Sequence, residues 1–285
     1  MRLIDCHAHS VHSIDADFSI KKMCDAAIAQ NLAAFAITDH VEANRWYEMA
    51  HYGKERSEYE YDEYGFSKAF YSSVEDIVKS KEEYKGKLNL LCGVELGQAI
   101  QDTDIADKIA SDDRLDFIIG SIHEARNNMD FAFINFSEYL QSDIEKLLEQ
   151  YFYEINELAN WGKFQILGHL TYTLRYIEGN HKRKVDISKY DDIIESAFKA
   201  LVSNGCAIEI NTSGLRQAYG QPFPTLRYVK MFKDLGGELL SLGSDAHFPE
   251  HVGANISDGA KLAYDAGFDR ICYFKNKKPQ FIELK

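Results

Sequence analysis

Several things are scarce or missing in this 285-residue chain, and each absence removes a class of function. There is no Cys-x-x-Cys pair, and Cys6, Cys24, Cys92, Cys206 and Cys272 are odd in number and widely spaced. That spacing supports neither a disulfide framework nor a thiolate zinc site, so the thiols read as small buried hydrophobes. No stretch approaches the ~18 consecutive apolar residues of a membrane span, and the opening "MRLIDCHAHSVHS" has neither the basic start nor the apolar core of a signal peptide, which points to the cytoplasm. Positive charge is in deficit, with 32 Lys and Arg against 45 Asp and Glu and a net charge of -13. A broad electrostatic grip on nucleic acid or on an anionic membrane is therefore not expected. An anionic small molecule would need local positive charge from metal ions or a few placed arginines. No linker, low-complexity tract or internal repeat divides the chain, so residues 1–285 are read as one domain, with homo-oligomers left open.

What is present is alternation. The apolar runs "RLIDCHAH", "AAFAITDH", "LNLLCGVELG", "LDFIIGSIHEA", "FQILGHLTY", "CAIEINTSG" and "ELLSLGSDAH" read as strands. Between them, "SIKKMCDAAIAQN", "SDIEKLLEQYFYEINELANWG", "KYDDIIESAFKALVSNG" and "PTLRYVKMFKDLGG" carry helical periodicity with Ser, Asp or Pro at the start or Gly at the end. Strands apolar throughout belong to a parallel sheet covered on both faces, and about seven such units favour a closed α/β barrel over an open sheet. Residues 41–70, rich in Tyr and Glu, are expected to form a long loop over one barrel face, with a second insertion at about 171–188.

Each apolar run ends in a residue that can ligate a metal: His7 and His9, His40, Glu95, His123, His169, then Asp245 and His247. His7 and His9 stand two apart in an extended segment, so their imidazoles share a face. Parallel barrel strands all end on one rim, where such enzymes place their chemistry. Singly, each of these residues is equally well explained as a satisfied core histidine or an ion-paired carboxylate. Structural histidines, however, have no reason to gather at one end of so many strands. With Asp15 the set is too large for one ion and suits two or three divalent ions; nitrogen and carboxylate donors without cysteine fit Zn, Fe or Mn. Asp5 and Asp39 are candidates to receive the outer imidazole N–H groups.

"DCHAHS", "ITDH", "GVELG", "GSIH" and "GSDAH", in this order, resemble the motifs of the polymerase and histidinol phosphatase (PHP) family of metal-dependent phosphoesterases. "IEINTSGLR" followed by "GSDAHFPEHVG" is similar to its histidinol-phosphatase branch. The resemblance implies a distorted (β/α)7 TIM-like barrel and up to three metal ions. It implies that His7, His9, Glu95 and Asp245 hold one ion, that Glu95 bridges to a second held by His123 and His169, and that Asp15, His40 and His247 hold the third. His12 and Asp17 compete with Asp15 for its place. The implied reaction is hydrolysis of L-histidinol phosphate in histidine biosynthesis, with Glu95, Asp245 and His247 as the catalytic ligands. Another small phosphate ester or phosphotyrosine is the sibling reading, and an inactive metal-binding module the non-enzymatic one.

Arg175 in "LTYTLRY" and Arg216 in "NTSGLR" follow strand ends and are expected to grip phosphate. Glu124, beside His123, and the 41–70 segment are expected to meet a cationic part of the substrate. His51, His181 and His251 fall outside every motif.

Overall fold

The computed structural model describes residues 2–43 and 68–284. Seven strands run parallel in the order β1 (Ile4–Asp5), β2 (Ala34–Ile37), β4 (Leu90–Gly97), β5 (Phe117–Ser121), β6 (Ile166–Leu167), β7 (Ala207–Asn211) and β8 (Leu240–Gly243), and β3 (His40–Glu42) continues β2 along the second half of β4. The barrel closes between its first and last strands, where the Cys6 amide donates to Leu242 O at 2.9 Å and the Asp245 amide to His7 O at 2.8 Å. Every residue of β2, β4, β5, β7 and β8 is buried, the consequence of continuous apolar runs covered by helices outside and packed side chains within.

The helices form where the caps and periodicity place them. The Ser19 side chain accepts from the Lys22 amide to start α1 (Ile20–Ala29), and Asp102 does the same for the Ile105 amide at α3 (Thr103–Ala110). In α4 (Gln141–Trp161), Ile144, Leu147, Leu148, Tyr151, Ile155 and Leu158 recur at helical spacing and form the buried face. Each such side chain removed from water contributes about 1.5–3 kcal/mol. That face packs on α5 (Asp191–Asn204), and both helices stop at a left-handed glycine, Gly162 at φ 63° and Gly205 at φ 68°, where a side chain would be strained. The remaining helices are α2 (Lys68–Glu83), α6 (Leu226–Asp234) and α7 (Ile256–Asp265). The five cysteines are free and buried, as their scatter implied.

The two insertions differ from a plain loop reading. Residues 41–42 complete β3 and 68–70 open α2; most of the expected 41–70 loop lies outside the described residues. The 171–188 segment is compact, with a π-helical turn at Arg175–Asn180 and a short helical turn beginning at Ile187. A hairpin of β9 (Arg270–Lys275) and β10 (Lys278–Glu283) follows the barrel; Asn276 and Lys277, at φ 49° and 59°, make its two-residue turn. Among the described residues no helix is long and apolar enough to cross a membrane.

Candidate metal centre

The strand-end residues converge. In parallel register His40 of β3 pairs with Glu95 of β4, and Glu95 with Ile119 of β5, so Glu95 projects into the barrel at the level where β1, β6 and β8 end. Its two oxygens face different histidines. Oε2 lies 3.1 Å from His7 Nε2, 3.5 Å from His9 Nε2 and 3.0 Å from His40 Nδ1. Oε1 lies 3.0 Å from His123 Nε2 and 2.7 Å from His169 Nε2. Asp245 Oδ1 stands 3.4 Å from His9 Nε2 and 3.9 Å from His7 Nε2. Asp15 reaches across the mouth, 3.1 Å from His247 Nε2 and 3.7 Å from His40 Nε2.

Among the described residues four groupings have donor atoms close enough to share an ion, three of them His7, His9 and Glu95; Glu95, His123 and His169; and His9, His40 and His247. The second has the members anticipated there, the first has three of the four anticipated and lacks Asp245, and the third takes His9 where Asp15 was expected. A further grouping, His40, Glu42 and His123, was not anticipated. Asp15, though exposed, faces His247 and His40 of the cluster, whereas His12 turns to Asp76 of α2 at 3.4 Å.

Donor chemistry fits divalent cations. His9 stacks at 4.2 Å on both His40 and His247, a pile of imidazoles that cannot all carry protons. His9 Nε2, His247 Nε2 and His40 Nδ1 are buried without a hydrogen bond although carboxylate oxygens stand within 3.5 Å of each. Buried polar atoms left in this condition call for a partner beyond the protein. His7 has both ring nitrogens against carboxylates, Nδ1 on Glu209 Oε1 at 2.8 Å and Nε2 on Glu95, and a neutral ring has one proton to give. Donation from Nδ1 to Glu209 turns the Nε2 lone pair inward, as in histidine ligands oriented from outside.

The charges oppose one another. Burial disfavours a charged His7, yet Glu209 and Glu95 raise its pKa well above the ordinary value; burial, helped by His40 and His247, pushes His9 well below it. Burial works against an ionised Glu95, but His7, His123 and His40 hold its carboxyl well below the usual range. Asp245 is held down against burial by His9, His7 and Arg175. It also sits at φ 54°, a left-handed backbone that Asp tolerates better than most side chains.

The outer partners of the imidazoles are not the expected ones. Asp5 accepts from the Ser244 amide and hydroxyl, the Gly253 amide and the His7 amide, so it ties the β1 and β8 ends together and touches no imidazole. Asp39 accepts from Ser10, Ser13 and Ser73; only through the Ser13 hydroxyl, 3.1 Å from His9 Nδ1, does it reach a ring. Glu209 and Glu42 take the positions instead, Glu209 on His7 and Glu42 Oε1 on His123 Nδ1 at 3.0 Å. Glu209 also accepts from the His169 amide at 2.9 Å. Two motif glycines make room for them: a Cβ on Gly243 would collide with Glu209, and one on Gly97 with Glu42. The available signal was a carboxylate inside the apolar strand "CAIEIN", which must find a partner when buried.

Two cavities meet at this centre. One, of about 80 Å³, is walled by the cluster on one side and by Asp130, Ala132, Tyr172, Arg175 and Tyr176 on the other. A wider cleft of about 360 Å³ shares Asp15, Arg175, Asp245 and His247 with it and adds Arg216, Gln217, Phe248 and His251. Arg175 Nη2 donates to Asp245 Oδ2 and to Ser213 Oγ, both at 2.8 Å, with its guanidinium 5.1 Å from the Tyr172 ring centre. Arg216 Nη2 donates to Asp245 O at 2.9 Å, while its Nη1 is buried without a partner. Glu124 is buried but lines neither cavity. His251 borders the wider cleft, His181 contacts the Ser137 hydroxyl, and His51 lies outside the described residues.

Fold and cluster together define a class, a parallel α/β barrel whose C-terminal rim carries a buried histidine and carboxylate centre built for cations. The PHP domain profile matches residues 5–213, and the chain belongs to that family. The chain is 29% identical over 256 residues to a probable histidinol-phosphatase of Thermotoga maritima, covering 90% of this chain and 89% of that one. It is 25% identical over 279 residues to the histidinol-phosphatase of Lactococcus lactis, covering 98% and 96%. The fold matches a crystal structure of the histidinol phosphate phosphatase from Lactococcus lactis complexed with zinc, L-histidinol and phosphate, at a TM-score of 0.78 and 23% identity over 98% of this chain and 99% of that one.

Proposed function

We propose that this chain, acting as one catalytic domain, is a metal-dependent phosphomonoesterase that hydrolyses L-histidinol phosphate to L-histidinol and phosphate in the cytoplasmic synthesis of histidine. The observation that carries this reading is Glu95, whose two oxygens face separate histidine sets at the floor of a cavity that Arg175 also lines. The histidinol-phosphatase names of relatives aligned over almost the whole chain support the choice of substrate. Zinc, as in the Lactococcus lactis structure, is the first metal to test, with iron or manganese as alternatives, and two to three ions are expected.

His7, His9, Glu95 and Asp245 would hold one ion, Glu95, His123 and His169 a second, and Asp15, His40 and His247 a third. Bound divalent ions would supply positive charge for the phosphoryl oxygens and acidify the attacking water. The chain does the rest. Arg175 and Arg216 would present guanidinium groups to the phosphate from the cleft side. Asp245, with Oδ2 fixed by Arg175 and Oδ1 toward His9, would orient the attacking water as a hydrogen-bond acceptor; its carboxyl, held well below the usual range, is too weak a base to keep the proton. His247 and Glu95 keep the remaining nitrogen and oxygen donors turned inward. Phosphate release by the metal-repleted protein, compared across L-histidinol phosphate, p-nitrophenyl phosphate and phosphotyrosine, tests the assignment. A clear preference for L-histidinol phosphate, abolished by chelation, is expected; a preference for phosphotyrosine would move the chain to the sibling reading.

A further inference from the structure

At the N-terminal end of the barrel, away from the metal centre, a cleft of about 440 Å³ opens where the start of the chain, the turn between α2 and β4 and the end of β9 meet. Ala33 and the buried Leu88 and Leu90 give it an apolar lining. Five cations border it, Arg2, Lys81, Lys85, Lys87 and Lys275, against one acid, Glu82, in a chain whose net charge is -13. Two of the five are compensated: Lys81 Nζ lies 2.6 Å from Asp116 Oδ2, and Lys85 Nζ lies 3.5 Å from Glu82 Oε2. The other three are not. Arg2 donates to neutral carbonyls, Asn31 O at 3.3 Å and Leu32 O at 2.6 Å, and among the described residues neither Lys87 nor Lys275 makes a side-chain hydrogen bond or an ion pair. Asp25, the acid that Lys87 acts on from further off, already takes Lys21 Nζ at 2.9 Å and the Tyr84 hydroxyl at 2.7 Å.

A lysine in the last turn of a helix meets the carbonyl end of its dipole, which accounts for Lys81 in α2. It does not account for Arg2 and Lys275, which two other segments bring to the same cleft. Uncompensated cations gathered in this way repel one another, and a bound anion relieves the repulsion. The cleft has the size of a small-molecule site, and its cations come from three segments, so a ligand with several anionic groups meets them better than a single ion does. Linked phosphates concentrate more charge in such a volume than a dicarboxylate, and lysine and arginine both bind phosphate oxygens. None of the lining residues is aromatic, so there is no ring on which a base could stack. We propose that this cleft is a second ligand site, for a small polyanion with linked phosphate groups, recognised by charge alone. The proposal does not depend on the reading of the metal rim.

The test titrates tripolyphosphate calorimetrically into the zinc-loaded protein and into its Lys87→Ala/Lys275→Ala variant, with zinc content checked afterwards by elemental analysis. Both lysines are exposed, so fold and turnover are expected to stay at wild-type values. The metal rim also attracts polyanions, and its share is read separately from competitive inhibition of p-nitrophenyl phosphate hydrolysis. Two classes of site are expected in the wild type. In the variant the affinity of the cleft should fall on the order of tenfold or more, while the inhibition constant at the rim stays within about twofold. ATP should bind the cleft within about threefold of tripolyphosphate, and inorganic phosphate about tenfold or more weakly. An isotherm that the two substitutions leave unchanged overturns the proposal, as does a single class of site that only inhibits turnover. Equal affinity for tripolyphosphate and inorganic phosphate also overturns it, since the cleft would then be a patch for counterions. Hydrogen exchange on the wild type decides the matter without a variant: binding must slow exchange at 84–90 and 270–278, and its absence there contradicts the site.

Discussion

The two ends of the barrel treat buried acids in opposite ways. At the N-terminal end Asp116, 1% exposed, accepts from the Cys92 amide at 2.8 Å, the Asn276 amide at 3.1 Å and Lys81 Nζ at 2.6 Å. These donors come from β4, the hairpin turn and α2, so a carboxylate there is a clasp that the chain itself satisfies. At the C-terminal rim Glu95, fully buried, is ringed by imidazole nitrogens, and His9, His40, His169 and His247 each retain a buried ring nitrogen without a hydrogen bond. Burial of an acid is therefore no mark of chemistry. Polar atoms gathered and left unsatisfied are, because the fold bears their desolvation for the sake of something that binds.

The sharpest way to break this contrast is at Glu95. Glu95→Gln is expected to lower the bound metal and to reduce kcat/KM on the order of 10³-fold, about 4 kcal/mol of transition-state stabilisation. Elemental analysis beside steady-state kinetics checks it, and an unaltered metal content would make the rim no different from the Asp116 end.

Next in size is Arg216→Ala, expected to keep the full metal complement and lose on the order of 10²-fold in kcat/KM, with lysine rescuing only part of it. Near-normal kinetics would transfer the phosphate contact to Arg175 alone.

Glu209→Gln sharpens the comparison from outside the ligand set. The amide can still accept from the His169 N–H but holds no charge against His7, so metal affinity should fall about 10- to 100-fold, read from competition with a chelator of known affinity. No change would mean that Glu209 is a clasp like Asp116.

The smallest effect on turnover is expected at the other end. Asp116→Asn should cost about 1–3 kcal/mol in denaturant unfolding while metal content and kcat stay at wild-type values. A turnover defect without loss of stability would erase the distinction between the two ends.

The residues that the sequence exposes are those whose local pattern carries them. His7, His40, Glu95, His123, His169 and Asp245 each follow an apolar run, so their place on the rim is a consequence of parallel strands. What stays hidden depends on contacts between distant segments. Glu209 lies within a strand like Glu95 does, but its partner His7 is 202 residues away. Asp5 and Asp39 stand next to ligands in the chain, yet serine hydroxyls and amides reach them first. Glu124 follows His123 directly, but both lie in a bend beyond β5, where closeness in sequence does not put two side chains on one wall, and Glu124 stays off the cavity. The β9–β10 hairpin was missed because Pro279 interrupts the second strand and β10 is mostly exposed, which leaves little apolar contrast.

The central claim is that the rim gathers these side chains around more than one ion with Glu95 between them. The most direct measurement is a calorimetric titration of the chelator-stripped protein with zinc, checked by elemental analysis of the product. Two to three zinc ions per chain are expected in the wild type and fewer in Glu95→Gln. Less than one ion per chain in the wild type, after repletion with zinc, iron and manganese in turn, would contradict the claim.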